Sequence, residues 1–421
     1  MPPAGKDVKT KKRDGDRPVG PVAFRRLPRP DYAGGSLLNL MAGVIRSRGG
    51  RSPHEALRNL PVADLKRYSK VVLLLLDGIG AGQLRDWLAA ERAPSAFFGR
   101  HPHDVITTVC PATTASVVTL LATGASPAEH GILGWHLHMA DLGIEGTFLP
   151  FVTRTGSAIA PDTFDLATYL RMPSHLATTK GRRVLISPWG LPTSRTSMAQ
   201  GWWHDRRSYT TLEGLVRRLR AFAKEESEGP DFAYAYWPKY DSLCHEFGPE
   251  GREPADHLRV LDGILARIER ALRGTDTLLL VTADHGHMQT DVTVDLSRIP
   301  GFYSTLSTLP SGDARMTHCL VRPSRERDFL RLLREEPLES ACVAVSRADF
   351  LASGILGPGK PHPALEDRMG DWVLCALPRH ALAYPANVPP IPGEPVKPPM
   401  KGTHGGLSEA ELRVPLFVVR P

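Results

Sequence analysis

The chain has 421 residues, of which 42% are hydrophobic and 23% charged, values that are ordinary for a globular protein. This length accommodates one large α/β domain or two to three smaller ones. No apolar run approaches the roughly 20 residues needed to cross a bilayer, and the N-terminus lacks the apolar stretch of a secretory leader. The sequence therefore predicts a soluble, cytoplasmic protein without a membrane partner.

The cysteines support the same compartment. They are odd in number, scattered along the chain and free of any CxxC pair: Cys110, Cys244, Cys319, Cys342 and Cys375. This pattern predicts reduced thiols rather than a disulfide framework.

The net charge of +7 is concentrated at the N-terminus, because residues 1–30 hold nine Lys/Arg and only three Asp/Glu. This segment is predicted to be a disordered basic tail. Its first twenty residues contain no aromatic side chain that could stack on a nucleobase. We therefore predict no specific nucleic-acid partner, and at most a weak contact of the tail with nucleic acid or another acidic partner.

Strands and helices alternate from about residue 31 onward. Strands are expected at residues 71–76, 231–237, 277–282 and 414–419, and helices at 83–91 and 255–273. The continuous apolar run 71–76 is typical of a central strand that is buried on both faces. The pattern predicts an α/β fold with a doubly wound, mainly parallel sheet and helices on both faces, in which ligands bind beyond the carboxyl ends of the strands.

Residues 295–385 depart from this alternation. They combine strand, charged helix, strand and strand, which favours a smaller α+β insertion, or cap. The Pro/Gly-rich residues 385–399 are expected to form a loop that returns to the core. The catalytic core is then predicted to comprise residues 31–294 and 386–421.

Five short motifs lie at predicted strand ends or helix starts. They are Asp77-Gly78, Thr113-Thr114, Asp241 with His245, Asp284-His285-Gly286, and Gly402-Thr403-His404-Gly405-Gly406. Each alone has an ordinary explanation as a turn, a helix cap, a local hydrogen bond or a surface loop.

The motifs gain meaning as a set. An Asp and a His four residues apart face the same side of a helical turn, as a shared metal ion requires. A hydroxyl at a helix start lies where the helix dipole favours a phosphate or an alkoxide. Six Asp/His ligands and one hydroxyl are what a pair of divalent cations needs. Three histidines favour zinc, with manganese, iron and magnesium as alternatives.

The order and spacing of these motifs resemble the alkaline phosphatase superfamily, and within it the type I phosphodiesterase/nucleotide pyrophosphatase family. The resemblance covers most of residues 70–290 and 400–420, is weak over 295–385 and is absent from 1–30. It implies an alkaline-phosphatase-like fold, two divalent metal ions and a small phosphate-ester substrate.

The resemblance also implies roles for individual residues. One metal would be held by Asp77, Asp284, His285 and the oxygen of Thr114, and the other by Asp241, His245 and His404. Thr114 is expected to be the nucleophile that forms a covalent phospho-threonine, because similar enzymes place this Thr ten residues before a Gly that here is Gly124. The adjacent Thr113 remains an alternative.

Other readings of the same motifs stay open. Relatives that handle nucleotides carry an Asn where this chain has Trp135, so nucleotide pyrophosphatase activity would require His136 or a backbone N–H to take the place of that Asn. Cys110-Pro111 lacks the Cys-x-Pro-x-Arg motif of sulfatases, which excludes that activity. A phosphomonoesterase, a phosphonate hydrolase, or a non-catalytic metal-containing protein with a basic tail remain alternatives. Arg315 and Arg368 are candidates for cations that face the substrate.

Overall fold

A computed structural model describes residues 19–91, 94–161, 164–385 and 399–420 of the chain. The strands are β1 Lys70–Leu76, β2 His103–Thr107, β3 His136–Met139, β4 Ile144–Thr147, β5 Val152–Thr153, β6 Arg183–Pro188, β7 Asp205–Tyr209, β8 Asp231–Trp237, β9 Thr277–Thr282, β10 Met288–Gln289, β11 Val292–Asp295, β12 Ser311–Asp313, β13 Met316–Cys319, β14 Cys342–Ser346, β15 Trp372–Ala376, β16 His380–Ala383, β17 Gly402–Thr403 and β18 Arg413–Val419.

The helices complete the element list. They are α1 Pro21–Arg25, α2 Leu37–Ser47, α3 Val62–Lys66, α4 Ala81–Ala90, α5 Thr114–Thr123, α6 Pro127–His130, α7 Leu166–Leu170, α8 Arg195–Gln200, α9 Leu212–Lys224, α10 Lys239–Phe247, α11 Arg252–Leu272, α12 Glu326–Leu332, α13 Leu338–Ala341, α14 Arg347–Ala352, α15 Leu365–Arg368 and α16 Glu409–Leu412.

A seven-stranded sheet forms the centre of the molecule, with the strand order β2-β18-β9-β1-β8-β6-β7. Strands β9, β1, β8, β6 and β7 are mutually parallel, whereas β18 runs antiparallel to β9 and β2. All seven residues of β1 are buried, as expected for a strand covered on both faces. The predicted α/β fold with a mainly parallel sheet is thereby confirmed.

The register of this sheet brings three strand ends to one edge. Leu76, the last residue of β1, pairs with Trp237, the last residue of β8. Leu75 pairs with Thr282, the last residue of β9. The segments that follow β1, β8 and β9 therefore leave the sheet side by side, where sites form in this class of fold.

A second, antiparallel sheet has the order β14-β15-β13-β12-β3-β4-β5. Its strands β12–β15 come from the predicted insertion 295–385, but β3–β5 come from residues 136–153, which the sequence places in the core. The link between the two groups is a pairing of Gly312 with His136. The proposed domain boundaries remain a prediction. Within the second sheet, residues 136–153 pair with the predicted insertion and not with the central sheet.

Part of the predicted disordered tail is folded. Helix α1 buries Phe24, which contacts Phe350, and Gly20 N donates to Ala344 O at 2.8 Å. These contacts fix Gly20 to strand β14 of the second sheet and Phe24 to helix α14. Residues 1–18 and most of the predicted loop 385–399 lie outside the described residues.

Two further sequence predictions concern the whole chain. The five cysteines are all free and buried, consistent with the expected reduced thiols. Within the described ranges, no helix has both the length and the apolar character needed to traverse a bilayer. The cytoplasmic location itself remains a prediction.

Candidate active site

Three carboxylates meet at the edge where β1, β8 and β9 end. Asp77 directly follows β1, Asp241 lies in the first turn of α10 after β8, and Asp284 lies two residues beyond β9. Asp77 and Asp284 are 2% and 0% exposed. Because the strands are parallel and in register, residues more than 200 positions apart in the chain become neighbours.

The first group of side chains contains Asp77, Asp284 and His285, and their nearest ligand atoms lie within 4.8 Å of one another. His285 Nε2 is 3.5 Å from Asp77 Oδ1 and 3.4 Å from Asp284 Oδ2. Thr114 Oγ1, at the start of α5, is 3.1 Å from the same His285 Nε2. The four residues that the resemblance assigned to one metal are thus adjacent.

The second group surrounds Asp241. His245 Nε2 and His404 Nε2 lie 3.3 Å and 3.5 Å from Asp241 Oδ1. A further histidine, His287, which sequence reasoning did not select, places its Nε2 at 3.1 Å from the same oxygen. These four residues form a second set whose ligand atoms lie within 4.8 Å of one another.

The predicted histidines share one hydrogen-bonding arrangement. The Nδ1 atoms of His245, His285 and His404 contact the backbone carbonyls of Gly402, Gly286 and Ala112 at 2.8, 3.1 and 3.2 Å. A carbonyl oxygen can only accept, so each Nδ1 carries the hydrogen and donates it. Each Nε2 lone pair then points into the cluster, the arrangement found for metal-ligating histidines.

Unpaired polar atoms test whether cations fit the site. Asp77 Oδ1, Asp241 Oδ1 and Asp284 Oδ2 are buried and have no hydrogen-bond partner among the described residues. Burial, together with the charges of Asp284 and Asp241, raises the pKa of Asp77 well above its ordinary value. A buried, unpaired carboxylate costs several kcal/mol or more, and divalent cations would offset this cost. The residues therefore fit two divalent cations, whose identity they do not define.

Gly78, which follows Asp77, and Gly286, which follows His285, allow the chain segments that carry the ligand residues to pack closely. A Cβ atom on Gly286 would lie 2.0 Å from Ala410 O, and one on Gly78 would lie 2.5 Å from His287 Cε1. Gly78 also has a φ of 84°, which other residues rarely adopt. Its N–H donates to Asp284 Oδ1 at 3.0 Å, so this turn directly orients one carboxylate.

The two candidate nucleophiles face different surroundings. Thr114 is the first residue of α5 and lines the cavity beside Asp77 and Asp241. Thr113 is the N-cap residue, and its hydroxyl donates to Asp313 Oδ1 at 3.2 Å. Of the two, the geometry therefore brings only Thr114 next to the ligand groups.

Beyond His287, sequence reasoning missed two residues that support the site. The Tyr236 hydroxyl donates to Asp77 Oδ2, and it lies in β8 one residue before the strand end. Burial raises the pKa of Asp313, the partner of Thr113, to about 7. The spacing of His287 two residues after His285 could have indicated the missed histidine from the sequence. Tyr236 and Asp313 lie in no distinctive motif.

The two arginines proposed to face the substrate do not do so. Arg315 is fully buried, and its Nε and Nη2 donate to Glu411 at 2.9 and 2.8 Å. Arg368 is 4% exposed and donates to the carbonyls of His130 and Gly131. Both satisfy buried partners inside the protein, which corrects the prediction.

A third cluster of possible ligands lies elsewhere, at His54, Glu129 and His175. Here Glu129 Oε2 accepts from Ser126 N and faces His54 Nε2, both at 2.8 Å. These are ordinary hydrogen-bond lengths, and Glu129 completes the capping box of α6. The cluster therefore anchors that helix through hydrogen bonds.

A cavity of about 500 Å³ opens beside the first group and Asp241. Its apolar and aromatic lining residues are Val118, Ala122, Trp135, Leu149, Pro150, Leu185, Leu191, Trp203, Tyr234, Tyr236 and Pro238. Its uncharged polar lining residues are Thr114, Ser187, Ser194, Thr196, Ser197 and Gln200. None of the described lining residues is Lys or Arg, and Asp77 and Asp241 are the charged ones among them.

The mainly parallel α/β sheet, with carboxylates and histidines gathered beyond its strand ends, defines a member of the alkaline phosphatase superfamily. The chain belongs to the type I phosphodiesterase/nucleotide pyrophosphatase family, whose family model matches residues 71–407. This confirms the family that the motif order indicated. No curated protein sequence matches the chain significantly.

Solved structures share the fold at low sequence identity. Murine ectonucleotide pyrophosphatase/phosphodiesterase 5 matches with a TM-score of 0.58 and 16% identity, over 84% of this chain and 88% of that chain. An inactive variant of that murine protein in complex with AMP matches with a TM-score of 0.56 and 15% identity, over 82% and 87%. Phosphonoacetate hydrolase from Sinorhizobium meliloti in complex with phosphonoformate matches with 0.54 and 18%, over 82% and 89%.

Proposed function

We propose that this protein is a metal-dependent hydrolase of phosphate esters, of the phosphodiesterase type, in which Thr114 is the nucleophile. The observation that carries the proposal is the position of the Thr114 hydroxyl. It lies at a helix start, 3.1 Å from His285 Nε2, and it faces a cavity that also borders Asp77 and Asp241.

The ligand residues have defined parts in this proposal. Asp77, Asp284 and His285, with Thr114 Oγ1, would hold one divalent cation, and the Asp241 group would hold the other. When bound, the cations supply Lewis-acid polarisation of the phosphoryl group and lower the pKa of a coordinated hydroxyl. Three histidines among the predicted ligands favour zinc.

The chain's own groups then account for the chemistry. Thr114 Oγ1 gives up its proton and attacks phosphorus as the bond from phosphorus to the leaving ester oxygen breaks, and the leaving oxygen takes up a proton, which yields an alcohol and a phospho-threonine. Water hydrolyses that intermediate, regenerates the hydroxyl and releases the phosphate product. The N–H groups and the dipole at the start of α5 stabilise the negative oxygens during both steps.

The cavity favours an ester over a small charged phosphonate. The AMP complex of the murine relative supports a phosphate-ester substrate, whereas the phosphonoformate complex supports phosphonate hydrolysis as a second candidate. A phosphonate that carries a carboxylate calls for a cationic partner, and the described lining residues include no Lys or Arg. Apolar walls instead suit the organic group of an ester.

The proposal is tested by comparing Thr114→Ala with Thr113→Ala. The substrates are bis(4-nitrophenyl) phosphate, 4-nitrophenyl phosphate and phosphonoacetate, assayed with zinc, manganese or magnesium. We expect Thr114→Ala to abolish turnover and Thr113→Ala to retain most of it. Undiminished turnover in Thr114→Ala contradicts the nucleophile assignment. A wild-type protein that binds metal but turns over none of the substrates favours the non-catalytic alternative.

A further inference from the structure

His287 is a buried histidine that neither the sequence motifs nor the family resemblance explains. Its side chain is fully enclosed, at 0% exposure. Nε2 lies 3.1 Å from Asp241 Oδ1, and the ring centroids of His245 and His404 are 5.1 and 5.2 Å away. Its ring thus shares one space with the ligands assigned to the second cation.

Hydrogen bonding fixes the orientation of this ring. Nδ1 contacts the backbone carbonyl of Gly78 at 3.1 Å, and that oxygen can only accept, so Nδ1 carries the hydrogen. In the neutral ring Nε2 then presents a lone pair to the carboxylate of Asp241. Neither His287 Nε2 nor Asp241 Oδ1 has a hydrogen-bond partner among the described residues. Two buried acceptors facing each other at this distance repel unless a cation or a proton lies between them.

The three predicted histidines behave in the same way. Each donates Nδ1–H to a backbone carbonyl and directs Nε2 into a group of carboxylates. The separations from Asp241 Oδ1 to Nε2 are 3.3 Å for His245 and 3.5 Å for His404, close to the 3.1 Å of His287. We propose that His287 is a fourth protein ligand of the cation held by Asp241, an inference that rests on the two-metal site of the proposed function.

This assignment makes the two metal positions unequal. The Asp241 group supplies four protein ligands, which is the full complement of a tetrahedral site. The other group supplies Asp77, Asp284 and His285, and its further oxygen is the nucleophile Thr114. We therefore expect the Asp241 position to retain its cation when a chelator has emptied the other, so that a one-metal form can be prepared.

Two substitutions separate a ligand from a residue that merely orients its neighbours. His287→Asn replaces Nδ1 with an amide that can still donate to Gly78 O, but it removes the Nε2 atom. His287→Gln removes the Gly78 bond and puts an amide group near the Nε2 position. A ligand role predicts that His287→Asn weakens zinc binding at the tighter site more than about 100-fold, beyond the 10–100-fold typical of an outer hydrogen-bond partner. It also predicts a smaller loss in His287→Gln.

The measurements are zinc content after dialysis and zinc affinity by competition with a chromogenic chelator. X-ray absorption of the wild-type one-metal form, which needs no variant to fold, should show three imidazoles on the zinc. Two imidazoles, or unchanged zinc affinity in folded His287→Asn, overturns the assignment. A wild-type protein that binds no divalent metal refutes the proposed function itself, whereas two bound metals with two imidazoles on the tighter one refute only this inference.

Discussion

Replacing Glu411 by alanine should destabilise both the fold and the segment that carries His404. Glu411 is fully buried and forms a two-point ion pair with Arg315, at 2.9 and 2.8 Å. The same carboxylate accepts from Gly406 N at 2.7 Å and from the Ser408 hydroxyl at 2.6 Å. It therefore ties the loop after His404 to the second sheet.

The structure sets the size of this effect. In Glu411→Ala the Arg315 guanidinium stays buried without its counter-charge, which typically costs about 3–5 kcal/mol. Loss of the capping box that Glu411 forms with Ser408 adds about 1 kcal/mol. The sum is a large part of the about 5–15 kcal/mol that stabilises a typical domain.

The chain offers a matched control in the same helix. Glu409 pairs with Arg413, and the two side chains are 59% and 54% exposed, so Glu409→Ala should cost less than about 1 kcal/mol. Urea unfolding followed by circular dichroism measures both changes, and chelator competition measures metal affinity, which should fall only in Glu411→Ala. The double variant Arg315→Met/Glu411→Leu should be more stable than Glu411→Ala, because it buries no charge. Equal costs for the two alanine variants would refute this reasoning.

Three other predictions address the site. Tyr236→Phe removes the hydroxyl that donates to Asp77 and should weaken metal binding about 10–100-fold without unfolding the protein. Chelator competition measures the metal affinity, and an unchanged affinity would contradict a supporting role for Tyr236. Burial raises the pKa of Asp313 to about 7, so its contribution to stability is complete below its ordinary value of 3.8 and is lost as pH rises through about 7. Metal-free wild-type protein should therefore lose stability to urea across that range relative to Asp313→Asn, and parallel pH profiles would contradict the assignment. Leu191 lines the cavity and is 41% exposed, so Leu191→Lys should leave the fold intact. The added cation should raise kcat/KM for phosphonoacetate relative to kcat/KM for bis(4-nitrophenyl) phosphate. An unchanged ratio would show that the cavity does not select substrates by charge.

Local patterns predicted the central part of the molecule well. Strands at 231–237 and 277–282 appear with those bounds, and the strand predicted at 71–76 starts one residue earlier. Such buried strands carry an apolar signal in their own residues. The polar residue after each strand could be selected because parallel strands end at one edge. The seven predicted site residues meet in space, including Thr114 at the start of α5 and His404 after β17, which do not follow strands of the parallel set. Their catalytic roles remain a prediction.

The misses concern partners that lie far away in the sequence. Arg315 was assigned to the substrate because its buried partner Glu411 is 96 residues distant, and no local pattern connects them. The second sheet joins residues 136–153 to strands beyond 311, which strand propensity alone does not indicate. His287 is the exception, because it lies only two residues after the predicted ligand His285 and its spacing from that residue could have indicated it. Zinc as the metal and the cytoplasm as the location remain predictions.

The order of the site residues along the chain has a consequence for synthesis in the cell. Asp77 emerges from the ribosome 327 residues before His404, so a nascent chain lacks a complete binding site until His404 has been made. Cations that bind only the finished fold stabilise it by mass action. If the proposed metals bind in this way, starvation for them would leave freshly made copies exposed to proteases, and metal supply would set how much of the protein accumulates.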